Sequence, residues 1–271
     1  MESEKTAYHS VLTIAGSDSG GCAGIQADIK SISACGGYAA SVITATTAQN
    51  TQGVIDIHPI PVLHIEKQLE AVFSDIQFGA VKIGMLHSCE VINTVARKLQ
   101  EFQAKNIVID PVMVATSGDM LIAENAINCL RELLPQALLI TPNSMEAEVL
   151  LGQAVDSNNV EASAREIGSR FKTSVLLKGG HLDDASDYMS DVLYEHSSDK
   201  IVTVRNPRIN TANVHGTGCS LSSSIATWLS KGYNTEQAVK KACAYVNRAI
   251  EGGKDKVLGK GNGPIHHFVK D

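Results

Sequence analysis

Apolar residues recur along this chain in two alternating patterns. Short β-branched runs occur at Val11–Ala15, Ala40–Thr44, Val54–His58, Ala80–Ile83, Asn106–Ile109, Ala137–Ile140, Ser174–Leu177, Asp191–Glu195 and Ile201–Arg205, each of strand length. Between many of them the spacing becomes helical. Ile25, Ile29 and Ile32 fall at i, i+4 and i+7, and Val91, Val95, Leu99 and Phe102 continue one stripe beyond Ser88, a predicted N-cap. Leu221, Ile225, Trp228 and Leu229 mark another helix, and Val239, Ala242, Val246 and Ile250 the last. Strands that alternate with helices predict an α/β fold with a mostly parallel central sheet and helices on both faces. The rhythm breaks once. Between Leu177 and Asn213 two strand-like runs follow one another with no helix between them, which predicts an antiparallel hairpin at a sheet edge. No linker, charge block or repeat divides the chain, so one domain over residues 1–271 is expected.

Composition excludes several function classes. Hydrophobic residues at 44% and charged residues at 19% supply a core, which a disordered chain lacks. Lys and Arg number 23 against 29 Asp and Glu, a net charge of −6 without basic clusters, so no nucleic-acid partner is expected. The longest apolar runs, such as Gln136–Ile140, fall far short of the roughly 18–20 residues of a membrane span. The polar, acidic start at Met1–Lys5 does not read as a signal peptide. A soluble, cytoplasmic protein without membrane partners is expected. Cys22, Cys35, Cys89, Cys129, Cys219 and Cys243 are scattered without a CxxC pair, so six free thiols are expected rather than a disulfide framework or a zinc site.

In open sheets of this class, ligands bind beyond the carboxyl ends of the strands. The first strand runs into Gly16-Ser-Asp-Ser-Gly-Gly-Cys-Ala-Gly-Ile-Gln-Ala-Asp28, whose glycines can expose N–H groups to an anion or a hydroxyl-rich ligand. It is neither a dinucleotide fingerprint nor a P-loop, and the glycines alone read equally well as a flexible turn. Later, Gly216, Thr217 and Gly218 open an apolar-striped helix, where free N–H groups and the positive dipole end suit a transferring phosphoryl group. Cys219, in the first turn, is expected to have a lowered thiol pKa and can act as a general base; the alternative is a buried core thiol. Asn143 and Glu146, at i and i+3 after a strand, read as residues orienting waters around Mg²⁺ or as an N-cap with its N3 glutamate, and the spacing alone favours the cap. Lys178, at a strand end before two glycines, can meet polyphosphate or be a solvated turn residue. Asp110 can assist a metal or simply end its strand. The ends of two further runs, Thr44–Asn50 and Val81–Met85, offer small, apolar and amide side chains for a flat heteroaromatic ring. His266 and His267 are neighbours that point to different sides, so a solvated tail is expected there rather than a metal pair.

The order of these signals is specific. Gly16-Ser-Asp with Ala23-Gly-Ile-Gln-Ala-Asp28, Gln49-Asn-Thr, Lys82-Ile-Gly-Met85, Asp110-Pro-Val-Met, Thr141-Pro-Asn-x-x-Glu146, Lys178-Gly-Gly-His181 and His215-Gly-Thr-Gly-Cys219 succeed one another. The succession resembles the hydroxymethylpyrimidine/phosphomethylpyrimidine kinases of thiamine biosynthesis, in the ribokinase-like superfamily, from Val11 to the Gly263-Pro-Ile-His-His-Phe268 ending. The resemblance implies a ribokinase-like three-layer fold and a homodimer. It also implies ATP- and Mg²⁺-dependent phosphorylation of 4-amino-5-hydroxymethyl-2-methylpyrimidine and then of its monophosphate. By the same resemblance Gln49 bonds the pyrimidine, with Gly16, Asp28 and Met85 near it. Cys219 is the base, and the amides of Gly216, Thr217 and Gly218 form the anion hole. Lys178 and Thr217 contact ATP, and Asn143 and Glu146, assisted by Asp110, hold the Mg²⁺ shell. Cys22 stands where many relatives carry Gly, and Thr116 where many carry Lys. The alternatives are a pyridoxal or pyridoxine kinase of the same fold and a catalytically silent binding protein. Gln49 leans towards an aminopyrimidine, because an amide both donates and accepts.

Overall fold

The computed structural model describes residues 6–113, 122, 125–156, 158–179 and 187–269; Thr116 and His181 lie outside them. All nine expected runs are strands: β1 (Ser10–Asp18), β2 (Tyr38–Asn50), β3 (Gly53–Pro59), β4 (Ala80–Ile83), β5 (Ile107–Ile109), β6 (Leu139–Ile140), β7 (Ser174–Leu177), β8 (Tyr188–Glu195) and β9 (Lys200–Pro207). They form one sheet in the order β3-β2-β1-β4-β5-β6-β7-β8-β9. Pairing is parallel from β2 through β7 and antiparallel at both edges, where β3 lies on β2 and the expected hairpin β8–β9 lies on β7.

The helices are α1 (Gly24–Ala34), α2 (Val62–Phe73), α3 (Cys89–Glu101), α4 (Ala126–Leu133), α5 (Ser144–Leu151), α6 (Val160–Phe171), α7 (Thr217–Ser230) and α8 (Thr235–Gly253). Each strand points successive side chains to opposite faces. Leu12, Ile14, Val81 and Ile83 therefore enter one core with α2 to α6, while Val11, Ala80, Val108 and Leu176 enter a second core with α1, α7 and α8. The result is the expected three-layer arrangement. Ser88 caps α3 as expected, its Oγ accepting the Val91 N–H at 3.4 Å. In α1 only Ile25 and Ile32 of the isoleucine stripe are buried, and Ile29 faces outward. Among the described residues no helix is long and apolar enough to cross a membrane.

Two expectations fail here. Cys89 and Cys129 form a disulfide between α3 and α4, with Cα atoms 5.4 Å apart, so four of the six cysteines are free. The partners are 40 residues apart in the chain, and only the packing of two helices on the same face of the sheet brings them together. His267 is not in a solvated tail. It is 4% exposed, its Nε2 lies 3.0 Å from the Ser220 Oγ, and its carbonyl accepts from the Tyr245 hydroxyl at 3.1 Å.

Burial, helped by Lys30 and His266, pushes the His267 imidazole down to about 4. The folded state thus refuses a proton that the unfolded chain binds below its ordinary imidazole pKa of about 6.5. Stability should fall as pH drops from about 6.5 towards 4, this group contributing a loss of about 2 kcal/mol near pH 4.5. Urea unfolding of the wild type and His267→Gln at neutral pH and near pH 4.5 checks this: the wild type should lose more than the variant. Equal losses would contradict it.

Candidate active site

The chain leaves β1 towards β2 and β3, then returns to the other side of β1 for β4. The crevice at such a reversal opens beyond the carboxyl ends of the strands. The loop after β1, Met85 after β4, Asp110 after β5, Asn143 after β6 and Lys178 after β7 all lie at this end of the sheet.

The loop after β1 is not a slack turn. The buried carboxylate of Asp18 accepts N–H groups from Gly20, Cys22 and Ala23 at 2.8, 2.8 and 2.7 Å. Cys22, the departure from the family pattern, is buried within it. The loop packs directly on the turn that opens α7. Gly216, the N-cap, has φ +83°, and a Cβ there would collide with the Cys22 carbonyl oxygen. Glycine is required twice over, by conformation and by space. If the turn receives the phosphates of ATP, as the resemblance implies, Gly216→Val should displace it and raise the KM for ATP at least about tenfold in a protein that still folds. Steady-state kinetics beside circular dichroism reads this, and a normal KM counts against the turn as a phosphate site.

From Gly218 the helix faces two charged groups: a Cβ at that position would lie 3.4 Å from the Lys178 Nζ and 3.5 Å from the Asp110 Oδ2. Lys178 donates to the Asp110 Oδ1 at 2.8 Å and lies 3.8 Å from the Glu146 Oε2. Burial works against its charge, but the two carboxylates win and hold the ammonium more firmly than usual. Glu146 is pushed up by burial, partly offset by Lys178. Asn143 and Glu146 form a full capping box on α5: the Asn143 Oδ1 accepts the Glu146 N–H and the Glu146 Oε2 accepts the Asn143 N–H, both at 2.8 Å. The capping alternative thus holds, and the same box fixes both side chains beside Lys178.

Asp110 balances the Lys178 ammonium, and Glu146, pushed up to about 7 by burial, gains its negative charge most readily beside a cation. Among the described residues no group of three or more His, Cys, Asp or Glu side chains is placed to hold a metal directly. Such a donor set fits Mg²⁺ held largely through water and phosphate oxygens rather than an all-protein cage.

Cys219 lies in the first turn of α7, as expected, and keeps partial exposure. The expected lowering of its pKa does not occur. Burial pushes the thiol up to about 11, the Lys82 ammonium pulls it down, and Asp28 and Asp110 push it further up. Loss of solvation outweighs the helix terminus.

Asp28 also departs from expectation. It has no exposed surface: Lys82 bonds both its oxygens at 2.9 Å, Thr13 donates at 2.5 Å and Ser223 at 2.6 Å. Rather than meeting a ligand, it ties α1 and α7 to β1 and β4. Gln49 sits at the end of β2, half-buried, with its Nε2 3.3 Å from the His215 Nε2. Met85 is buried against Gly16, where an added Cβ would meet the Met85 Cε at 2.5 Å. Sequence reasoning assigned no separate role to Asp18, Lys82 or His215. The signal for Lys82 was there, a cation inside an apolar strand; for Asp18 and His215 only their place in glycine-rich loops hinted at one.

The sequence profile of the phosphomethylpyrimidine kinase family matches residues 18–266. The chain belongs to this family. This kinase is 47% identical over 263 residues to the hydroxymethylpyrimidine/phosphomethylpyrimidine kinase of Rhizobium meliloti, covering 95% of this chain and 96% of that one. It spans about half, 52%, of a thiamine biosynthesis bifunctional protein from Geobacter sulfurreducens, at 46% identity over 96% of this chain. Among solved structures, the kinase resembles phosphomethylpyrimidine kinase from Clostridium difficile, with TM-score 0.78 and 41% identity, over 89% of this chain and 99% of that one. It also resembles a Bacillus subtilis pyridoxal kinase in complex with ADP, with TM-score 0.88 and 32% identity, over 96% and 98% of the two chains. These likenesses at this identity make the fold that of the ribokinase-like vitamin kinases, and the chain is a phosphotransferase.

Proposed function

We propose that this kinase transfers a phosphoryl group from ATP to 4-amino-5-hydroxymethyl-2-methylpyrimidine and then to its monophosphate, in thiamine biosynthesis. The observation that carries the reading is the convergence of the α7 turn, Cys219, Lys178 and Asp110 at one end of the sheet. The amides of Gly216, Thr217 and Gly218 receive the moving phosphate, and Lys178 meets the ATP phosphates together with Thr217. Cys219 takes the proton of the hydroxymethyl group. The base is the thiolate form, a minor species at neutral pH that the Lys82 ammonium favours against burial, Asp28 and Asp110. Mg²⁺, when bound, supplies charge neutralisation on the phosphates, and Asp110, Asn143 and Glu146 would hold its water shell. Gln49 bonds the ring edge, and Gly16 and Met85 lie along the ring.

A pyridoxal kinase is the second reading, because a solved pyridoxal kinase superposes with a TM-score of 0.88 against 0.78 for a phosphomethylpyrimidine kinase. Sequence identity orders them the other way, 32% against 41%, and Gln49 offers an amide to an aminopyrimidine edge. Separate kcat/KM measurements with ATP on the pyrimidine alcohol, its monophosphate and pyridoxine decide between them. Both pyrimidines should be used better than pyridoxine; a clear preference for pyridoxine overturns the proposal. The working form is a cytoplasmic homodimer of one kinase domain per chain, with neither nucleic acid nor membrane as partner. Light scattering at the mass of a single chain would contradict the dimer.

A further inference from the structure

His215 immediately precedes the turn that opens α7, and its ring reaches Gln49, the residue read as bonding the substrate ring. Its Nε2 lies 3.3 Å from the Gln49 Nε2, although the two residues are 166 positions apart. The imidazole also donates to the Asn262 backbone, and His215 is 7% exposed. With that N–H committed and the ring kept neutral by burial, against the pull of Asp18, the Nε2 remains as an acceptor. Its only compatible neighbour on Gln49 is an amide N–H. On the other side of the amide, the Thr47 Oγ1 lies 3.2 Å from the Gln49 Oε1 and shares its one hydrogen with the Ser17 carbonyl at 3.0 Å. A flipped amide would set its oxygen against the Nε2 lone pair.

We propose that His215 is a specificity-determining positioning residue: by accepting one N–H of Gln49 it fixes which side of the amide donates and which accepts towards the substrate ring. The inference rests on the reading that Gln49 bonds the pyrimidine. One N–H and one lone pair of Gln49 remain for a ligand, in a set order. That order matches a ring edge with an acceptor nitrogen beside an amino donor and is wasted on a ring lacking the pair. The C-terminal segment sets the imidazole in turn: the His215 N–H donates to the Gly263 carbonyl at 3.1 Å, and His215 forms a parallel bridge with Pro264. Residues 262–264 thereby take part in reading the substrate without touching it.

The test is a double-mutant cycle on the full chain, measuring the KM for the pyrimidine alcohol and for ATP separately. His215→Leu should raise the pyrimidine KM about tenfold, the scale of one hydrogen bond, with the ATP KM within about twofold. His215→Gln, whose amide oxygen can stand at the Nε2 position, should recover most of the loss. In a Gln49→Ala background His215→Leu should add less than about twofold, because it has no amide left to orient. If Gln49→Ala raises the pyrimidine KM but His215→Leu is silent, or adds its full factor in that background, the positioning role is overturned and the Gln49 reading stands. If His215→Leu raises the ATP KM equally, His215 merely supports the phosphate turn. If Gln49→Ala leaves the pyrimidine KM unchanged, the underlying reading falls and the inference with it.

Discussion

Replacing Cys219 by alanine should lower turnover by about 10²-fold or more, the usual scale for loss of a positioned base, while the KM for the pyrimidine changes little. The side chain is small and partly exposed, so the substitution leaves no large cavity. Its neighbours sharpen the expectation. Lys82, Asp28 and Asp110 all act on the sulfur, and burial holds the thiol near a pKa of about 11. Alkylation by iodoacetamide, followed at Cys219 by peptide mass mapping, should accordingly be slow at neutral pH and accelerate towards pH 11. Fast alkylation at neutral pH would contradict that environment. Unaltered turnover in Cys219→Ala would instead remove the base and leave catalysis to positioning and electrostatics around the phosphate.

The second large effect concerns stability. Lys82 and Asp28 are an ion pair with no exposed surface on either side chain. Removing one partner leaves a charge in a medium that solvates it poorly, a loss of roughly 3–5 kcal/mol from a total stability of about 5–15. Lys82→Met should therefore lower the urea midpoint sharply with little change in m, since the hydroxyls of Thr13 and Ser223 cannot neutralise the Asp28 carboxylate. The double variant Lys82→Met with Asp28→Leu should recover most of that loss, because two apolar side chains replace a desolvated pair. A single variant within about 1 kcal/mol of the wild type would show that the pair contributes little. The same ammonium favours the Cys219 thiolate, so one buried cation serves both the fold and the reactive end of α7.

Much of the architecture was legible in the periodicity. The runs at Ala80–Ile83 and Ser174–Leu177 are strands from end to end, and the missing helix after Leu177 marks the edge hairpin. The run at Ala137–Ile140 shortens to Leu139–Ile140 because a 3-10 turn at Leu134–Gln136 occupies the approach. Helices α2, α4 and α6 were not among the expected elements although their periods are present: Val160, Ala164, Ile167 and Phe171 of α6 fall at i, i+4, i+7 and i+11, and Val62, Ile65, Leu69 and Val72 of α2 at i, i+3, i+7 and i+10.

The chain by itself determined the layers, the strand ends and which loops lie together at the carboxyl edge, since these follow from local periodicity and the rule that parallel strands need crossovers. Tertiary structure alone decided what each polar group does there. Asp28 meets Lys82 across 54 residues and Gln49 meets His215 across 166, and neither pairing has a local signature. Burial then outweighed the helix terminus at Cys219 and drew His267 out of solvent. Solvation and pairing depend on what surrounds a group in space, and the order of residues carries that information only once the chain has folded.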